Sequence, residues 1–190
     1  HLSDMSISLW FKAHSLTGDA LIGKRNSAAT HDWSIYDAGS SHEIRLGVGE
    51  NISDELFENV DYVPSTNQWH HLEIIKSGTA YSIYADGIYK GSDTSATTWT
   101  DSDSIKIGSV DGNQSYLDGI IDNVRIYNYA RTPAQIAWEY NKGKPVAEWR
   151  MNECQGGTIH DESGNGNNGT INLGSSGSQT TTLGNGTCIT

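Results

Sequence analysis

The stretch MSISLWFK, residues 5–12, alternates along its whole length. Met5, Ile7, Leu9 and Phe11 fall on one side, and Ser6, Ser8, Trp10 and Lys12 on the other. Successive side chains of a strand point to opposite faces, so this is a β-strand with one face turned to a core. Similar segments recur outward from it. Ala20–Lys24, Trp33–Asp37, Glu43–Val48 and Trp69–Lys76 (WHHLEIIK) are short strands between turn residues. Tyr81–Ala85 and Ile88–Lys90 are joined by Asp86-Gly87, a pair suited to the positive-φ positions of a tight hairpin. Ile105–Gly108 and Gly119–Tyr127 (GIIDNVRIY) complete a series whose spacing predicts an all-β sandwich or jelly roll. One helix interrupts it. Thr132 is an N-cap, Pro133 takes the first helical position, Ile136, Ala137 and Tyr140 follow at helical spacing, and Gly143 marks the end. This predicts about three turns packed on the sandwich edge.

Composition sets bounds on function. The chain has 190 residues, enough for a sizeable core, and a net charge of −11. Twelve Lys and Arg against 23 Asp and Glu supply no basic surface for nucleic acid. No apolar run is long enough for a membrane helix, so membrane insertion is not expected. The chain starts at His1 without a signal peptide, which reads as a processed product or a fragment. Cys154 and Cys188 flank a Gly/Ser/Thr/Asn-rich stretch. They read as a disulfide in an oxidising compartment, or else as two unrelated thiols. Four Asn-x-Ser/Thr sequons, at Asn51, Asn113, Asn168 and Asn185, permit glycosylation of a surface protein.

Several segments together carry a family likeness. MSISLWFKA (5–13), WHHLEI (69–74), YSIYADGIYKG (81–91), IKIGSV (105–110) and LDGIIDNVRIYNYARTPAQI (117–136) resemble the laminin-G-like domains of the concanavalin A-like lectin/glucanase superfamily. The resemblance implies a two-sheet antiparallel jelly roll over residues 1–145. It also exposes a displacement. The family's usual opening, an aromatic-acidic strand followed by an Asp-x-Ser-Gly-Asn loop, is missing before His1. It stands instead at the C-terminus, as Val146, Ala147, Glu148, Trp149, Arg150 and Met151 followed by Asp161–Gly169 (DESGNGNNG). Residues 146–190 therefore form a second segment, with further short-strand character at Thr170–Leu173. Three explanations stay open: a piece of a tandem array, a permuted domain that completes itself, or a strand given to the next subunit. The last predicts a head-to-tail homopolymer, since an exchange that does not close into a ring makes filaments.

Candidate sites follow from these readings. Asp161, Ser163, Asn165 and Asn167 place side-chain oxygens on alternate residues of a glycine-rich loop, which suits Ca²⁺ or equally a simple turn. The resemblance implies a structural Ca²⁺ here, with Asp122 as a further ligand. For glycans, Trp33, Tyr36, Tyr62, Trp99 and Tyr116 are the aromatic candidates to stack on sugar rings. Catalysis is not expected. Retaining glycosidases need two carboxyls about 5 Å apart, and no strand here carries such a pair. The nearest cluster, Asp54-Glu55-Leu56-Phe57-Glu58, reads as loop. His70 and His71 are adjacent, which sends one toward the core and one to the surface. The leading expectation is a non-catalytic structural or adhesive subunit of an extracellular or cell-surface filament, assembled by strand donation. The alternative is a carbohydrate-binding module of a larger secreted or surface protein, with surface glycans as partners.

Overall fold

A computed structural model describes residues 3–25, 31–49, 54–97, 104–109, 115–142, 145, 147–150 and 157–170. The chain divides into two compact units, His1–Tyr140 and Asn141–Thr190. Cys154, Cys188, Trp99, Val146 and Met151 lie outside the described residues.

The first unit holds two five-stranded antiparallel sheets. Its strands are β1 (Asp4–Ala13), β2 (Ala20–Arg25), β3 (His31–Asp37), β4 (Ile44–Val48), β5 (Asp54–Leu56), β6 (His70–Ser77), β7 (Ala80–Ala85), β8 (Ile88–Thr94), β9 (Ile105–Ile107) and β10 (Gly119–Tyr127). One sheet runs in the order β10-β1-β6-β7-β8 and the other β5-β4-β3-β2-β9. The alternation of β1 does what the sequence predicts. Ile7, Leu9 and Phe11 are buried in the core, where Ile7 pairs with Ile74 and Leu9 with Leu72. From the other sheet, Ile22, Ile35, Leu46 and Leu56 join the same core. Asp86 and Gly87 both take positive φ, as a tight β7–β8 hairpin requires, and Ala85 pairs with Ile88 across it.

The outer face of β1 is also covered. Helix α1 (Pro133–Tyr140) lies over it rather than at the sandwich edge, and it is eight residues long, shorter than the expected three turns. Its start is a capping box in which the Gln135 amide donates to Thr132 Oγ1 (3.3 Å) and the Thr132 amide donates to Gln135 Oε1 (2.8 Å). Trp10 stacks on Tyr140, with ring centroids 5.7 Å apart. Beneath the helix, Arg131 donates to both carboxylate oxygens of Glu73 at 3.0 Å and pairs with Glu139, which Arg125 also pairs. His71 is buried in this cluster, its Nε2 3.0 Å from Ser8 Oγ. His70, on the opposite face, packs against Phe11 and bonds the Asp86 carboxylate at 2.9 Å. The two histidines do face apart, but neither is freely exposed: His71 is buried, and 12% of the His70 side chain is open to solvent.

Two carboxylates here compete for the positive charge of Arg131. Burial pulls both toward protonation. In Glu139, Arg131 and Arg125 overcome it and hold the carboxyl below its ordinary value. In Glu73, burial outweighs Arg131 and the group is pushed up to about 7 from an ordinary 4.5. Between those two values the folded chain holds a proton that the unfolded chain has lost. The stability owed to Glu73 is therefore complete at low pH and falls as pH rises through about 7. Glu73→Gln, which cannot titrate, should lose less stability than the parent chain between about pH 5 and about pH 8. Urea unfolding across that range measures it, and identical slopes for the two proteins would contradict this assignment.

The second unit contains a short antiparallel pair, β11 (Thr158–Ile159) with β12 (Gly169–Thr170). Within the segment 146–151, residues 147–150 carry no strand pairing to the rest of this chain. That backbone is tied to a loop instead: the Glu148 amide donates to Asp161 Oδ1 (2.9 Å) and the Glu162 amide to the Glu148 carbonyl (2.8 Å). No helix among the described residues is long and apolar enough to cross a membrane.

Candidate functional site

The outer face of the β5-β4-β3-β2-β9 sheet carries a cleft. Side chains two apart on a strand share a face, so Ser34 and Tyr36 on β3 both point away from the core that Ile35 enters. Tyr36 pairs with Arg45 on β4, and Gly47 on β4 pairs with both Ser34 and Glu55. Ser34 is buried at the base of a cavity of about 300 Å³. Tyr36, Arg45 and Glu55 form one wall, and Gly18, Asp37, Gly39 and Ser115 form the other.

One carboxylate builds the second wall. Asp37 accepts the amides of Gly18 (2.8 Å), Asp19 (2.7 Å) and Gly39 (2.9 Å), tying the loop before β2 to the turn after β3. Gly18 and Gly39 both have positive φ, and a Cβ on Gly39 would lie 3.7 Å from the Gly18 backbone. A side chain at either position would be strained. On the opposite wall, the Tyr36 hydroxyl donates to Glu55 Oε1 (2.6 Å) and Arg45 Nη1 donates to Glu55 Oε2 (2.8 Å). Burial and then the Glu55 carboxylate push the Tyr36 phenol far above its ordinary value, so it stays a neutral donor. Burial pulls Glu55 upward, yet the bonds from Tyr36 and Arg45 bring it below its ordinary value, so it stays ionised. The site offers the ionised carboxylate of Glu55 and, in Tyr36, a neutral phenol on a half-buried ring.

The aromatic candidates divide. Tyr36 lines the cleft, and Tyr116, which is 58% exposed, directly follows the lining Ser115. Trp33 (3% exposed) and Tyr62 (7%) are core residues and present no face to a ligand. Trp33 stands on the inner side of β3, three residues before Tyr36 and so on the opposite face. Cluster 54–58 is also corrected: Asp54–Leu56 is strand β5, and Glu55 belongs to the cleft. Glu55, Arg45 and Asp37 were not singled out as site residues from the sequence. Their signal is the alternation within Trp33–Asp37 and Glu43–Val48, which sets Tyr36 and Arg45 outward.

The other candidate loop is a hydrogen-bonded turn. Asp161 Oδ1 accepts the amides of Glu148 and Ser163, and Oδ2 that of Asn167, each at 2.9 Å. The Ser163 side chain, then the Glu148 amide, hold Asp161 well below the usual carboxylate range. Asn165 donates to Ser163 Oγ through its amide and its side chain. Asp122 stands on β10 of the first unit, where its Oδ1 accepts the Asn123 amide (2.7 Å). Among the described residues no group of three His, Cys, Asp or Glu is placed to hold a metal.

If Asp37 builds the cleft, Asp37→Ala should free three amides and lower stability by about 2–3 kcal/mol. Amide exchange at Gly18, Asp19 and Gly39 should rise more than at core strand amides. Unchanged exchange at these three positions would contradict that role.

Comparison with known proteins agrees with this architecture. No curated protein matches the chain. Among solved structures, domain 4 of AbnA, a GH43 extracellular arabinanase from Geobacillus stearothermophilus in complex with arabinotriose, is similar at 27% identity and a TM-score of 0.58. The match covers 71% of this chain and 65% of that one, so the chain spans just under two thirds of that domain. A heptameric pentraxin from Limulus polyphemus matches at 16% identity and TM-score 0.55 over 72% of this chain and 69% of its own. A candidate carbohydrate binding protein from Bacteroides ovatus matches at 19% identity and TM-score 0.59, over 89% of this chain and 52% of its own. The last two show the fold alone. The laminin-G-like model of the concanavalin A-like lectin/glucanases superfamily matches residues 1–137, and the chain belongs to that family.

Proposed function

We propose that the first unit is a non-catalytic carbohydrate-binding module of an extracellular protein, with its ligand seated in the cleft between Tyr36 and Asp37. The observation that carries this reading is the arabinotriose bound by the Geobacillus domain, whose sequence is 27% identical to this one. That domain belongs to an extracellular enzyme, which supports the same location for this chain. The cleft has the features that a sugar needs: an aromatic ring, carboxylates to accept hydroxyl hydrogens, and a volume at the small end of ligand pockets. Glu55 is not tuned as the acid that hydrolysis uses. An acid catalyst is a carboxyl held above its ordinary value, whereas Glu55 is held below it by Tyr36 and Arg45.

The assembly reading has one observation in its favour. Strands β9 and β10 end their sheets, and Ile105, Ile107, Ile120 and Ile126 on them are exposed. An apolar edge of this kind suits added strands. Residues 147–150 of the segment expected to be donated carry no strand pairing within their own chain.

Calorimetric titration with arabinotriose and a panel of other oligosaccharides tests the leading reading. Tyr36→Ala and Tyr116→Ala should each weaken binding about tenfold, the upper end of the about 0.5–1.5 kcal/mol of a stacked ring, without altering the circular dichroism spectrum. Absence of binding to every oligosaccharide, or affinities untouched by both substitutions, would refute it.

A further inference from the structure

The charges around the cleft restrict which glycans it can take; this inference rests on the reading just given. Among the described residues lining the cleft, Arg45 is the one cation. Its guanidinium lies 2.8 Å from Glu55, 3.2 Å from Glu43 and 3.5 Å from Glu58. One positive charge meets three carboxylates, which leaves two negative charges in excess. Glu43 and Glu55 are both held below their ordinary values, so these two alone outnumber the charge of Arg45 at neutral pH. The opposite wall adds Asp37, whose oxygens are already taken by three amides. Beside it, Asp19 is buried and pushed upward by that burial, with the charges of Asp37 and Asp118 adding to it. The whole chain, at −11, adds no compensating field.

We propose that this cleft selects uncharged glycans and rejects those that carry carboxylate or sulfate groups. A neutral sugar brings hydroxyl hydrogens, which carboxylates accept. An anionic sugar brings acceptors to a wall of acceptors, and Arg45 can receive it only by giving up a carboxylate already paired. Like charges brought together in this way oppose binding, and the opposition weakens as salt screens it.

The test uses matched pairs that differ mainly in charge: lactose with sialyllactose, and galactotriose with trigalacturonate, alongside arabinotriose. Affinities are measured by calorimetry at low and at physiological salt. For every pair in which binding is seen, the acidic member should bind at least about tenfold more weakly at low salt, and the gap should narrow as salt rises. Glu58→Gln, at the outer end of the cluster, should narrow the gap while neutral members still bind. An acidic member that binds as well as its neutral partner overturns the charge selection and leaves the carbohydrate-binding reading standing. Failure of the neutral and acidic members alike to bind overturns both.

Discussion

The two-faced character of β1 is the constraint on which the first unit depends. The strand lies inside its sheet, between β6 and β10, so its backbone is paired on both edges. Both of its faces are covered, one by the second sheet and the other by α1. The inner face carries Ile7, Leu9 and Phe11 into a core closed by Ile35, Leu46 and Leu56. The outer face carries Ser6 and Ser8, whose hydroxyls are partnered by what covers them. Ser6 accepts the Arg131 amide at 2.9 Å, and Ser8 lies beside His71 and Glu139. Burying the outer side of a strand with serines is tolerated because both hydroxyls find partners. A slip of one residue would exchange the two sets and leave hydroxyls in the core.

The second sheet uses the same period to a different end. Its inner face completes the core, and its outer face is left uncovered by any helix among the described residues. There the alternation sets Tyr36 and Arg45 side by side, with Glu55 from the neighbouring strand bonded to both. Asp37, the last residue of β3, gathers three backbone amides from two loops and so gives the cleft a fixed second wall. The covered sheet supplies stability and the uncovered sheet supplies a surface, which is why the candidate site belongs to the latter.

The fold was legible in the sequence because period-2 patterning is local. Met5–Lys12 and Tyr81–Ala85 state their faces without reference to the rest of the chain, and Asp86-Gly87 states its turn. What covers each face was not legible. Trp33 and Tyr36 are both aromatic residues of one short strand, and only their three-residue separation puts one in the core and the other in the cleft. Glu55 read as loop because its strand is three residues long, too short for alternation to register. Helix α1 was found from its cap and proline, but its seat on the outer face depends on Arg131 joining Glu139 of the helix to Glu73 of β6, a contact with no sequence spacing to announce it. The local bonding of the displaced segment was not legible either. Residues 147–150 have strand composition, yet Asp161 draws the Glu148 amide into its own loop.

The central claim is that a glycan sits between the Tyr36 wall and the Asp37 wall. Its most direct test is a titration with arabinotriose followed by the backbone amide resonances of the labelled protein. The account predicts that the perturbed amides cluster at Gly18, Ala20, Ser34, Gly39 and Ser115, which surround the cleft. Shifts confined to the α1 face, or to the loop between Thr158 and Thr170, would contradict it.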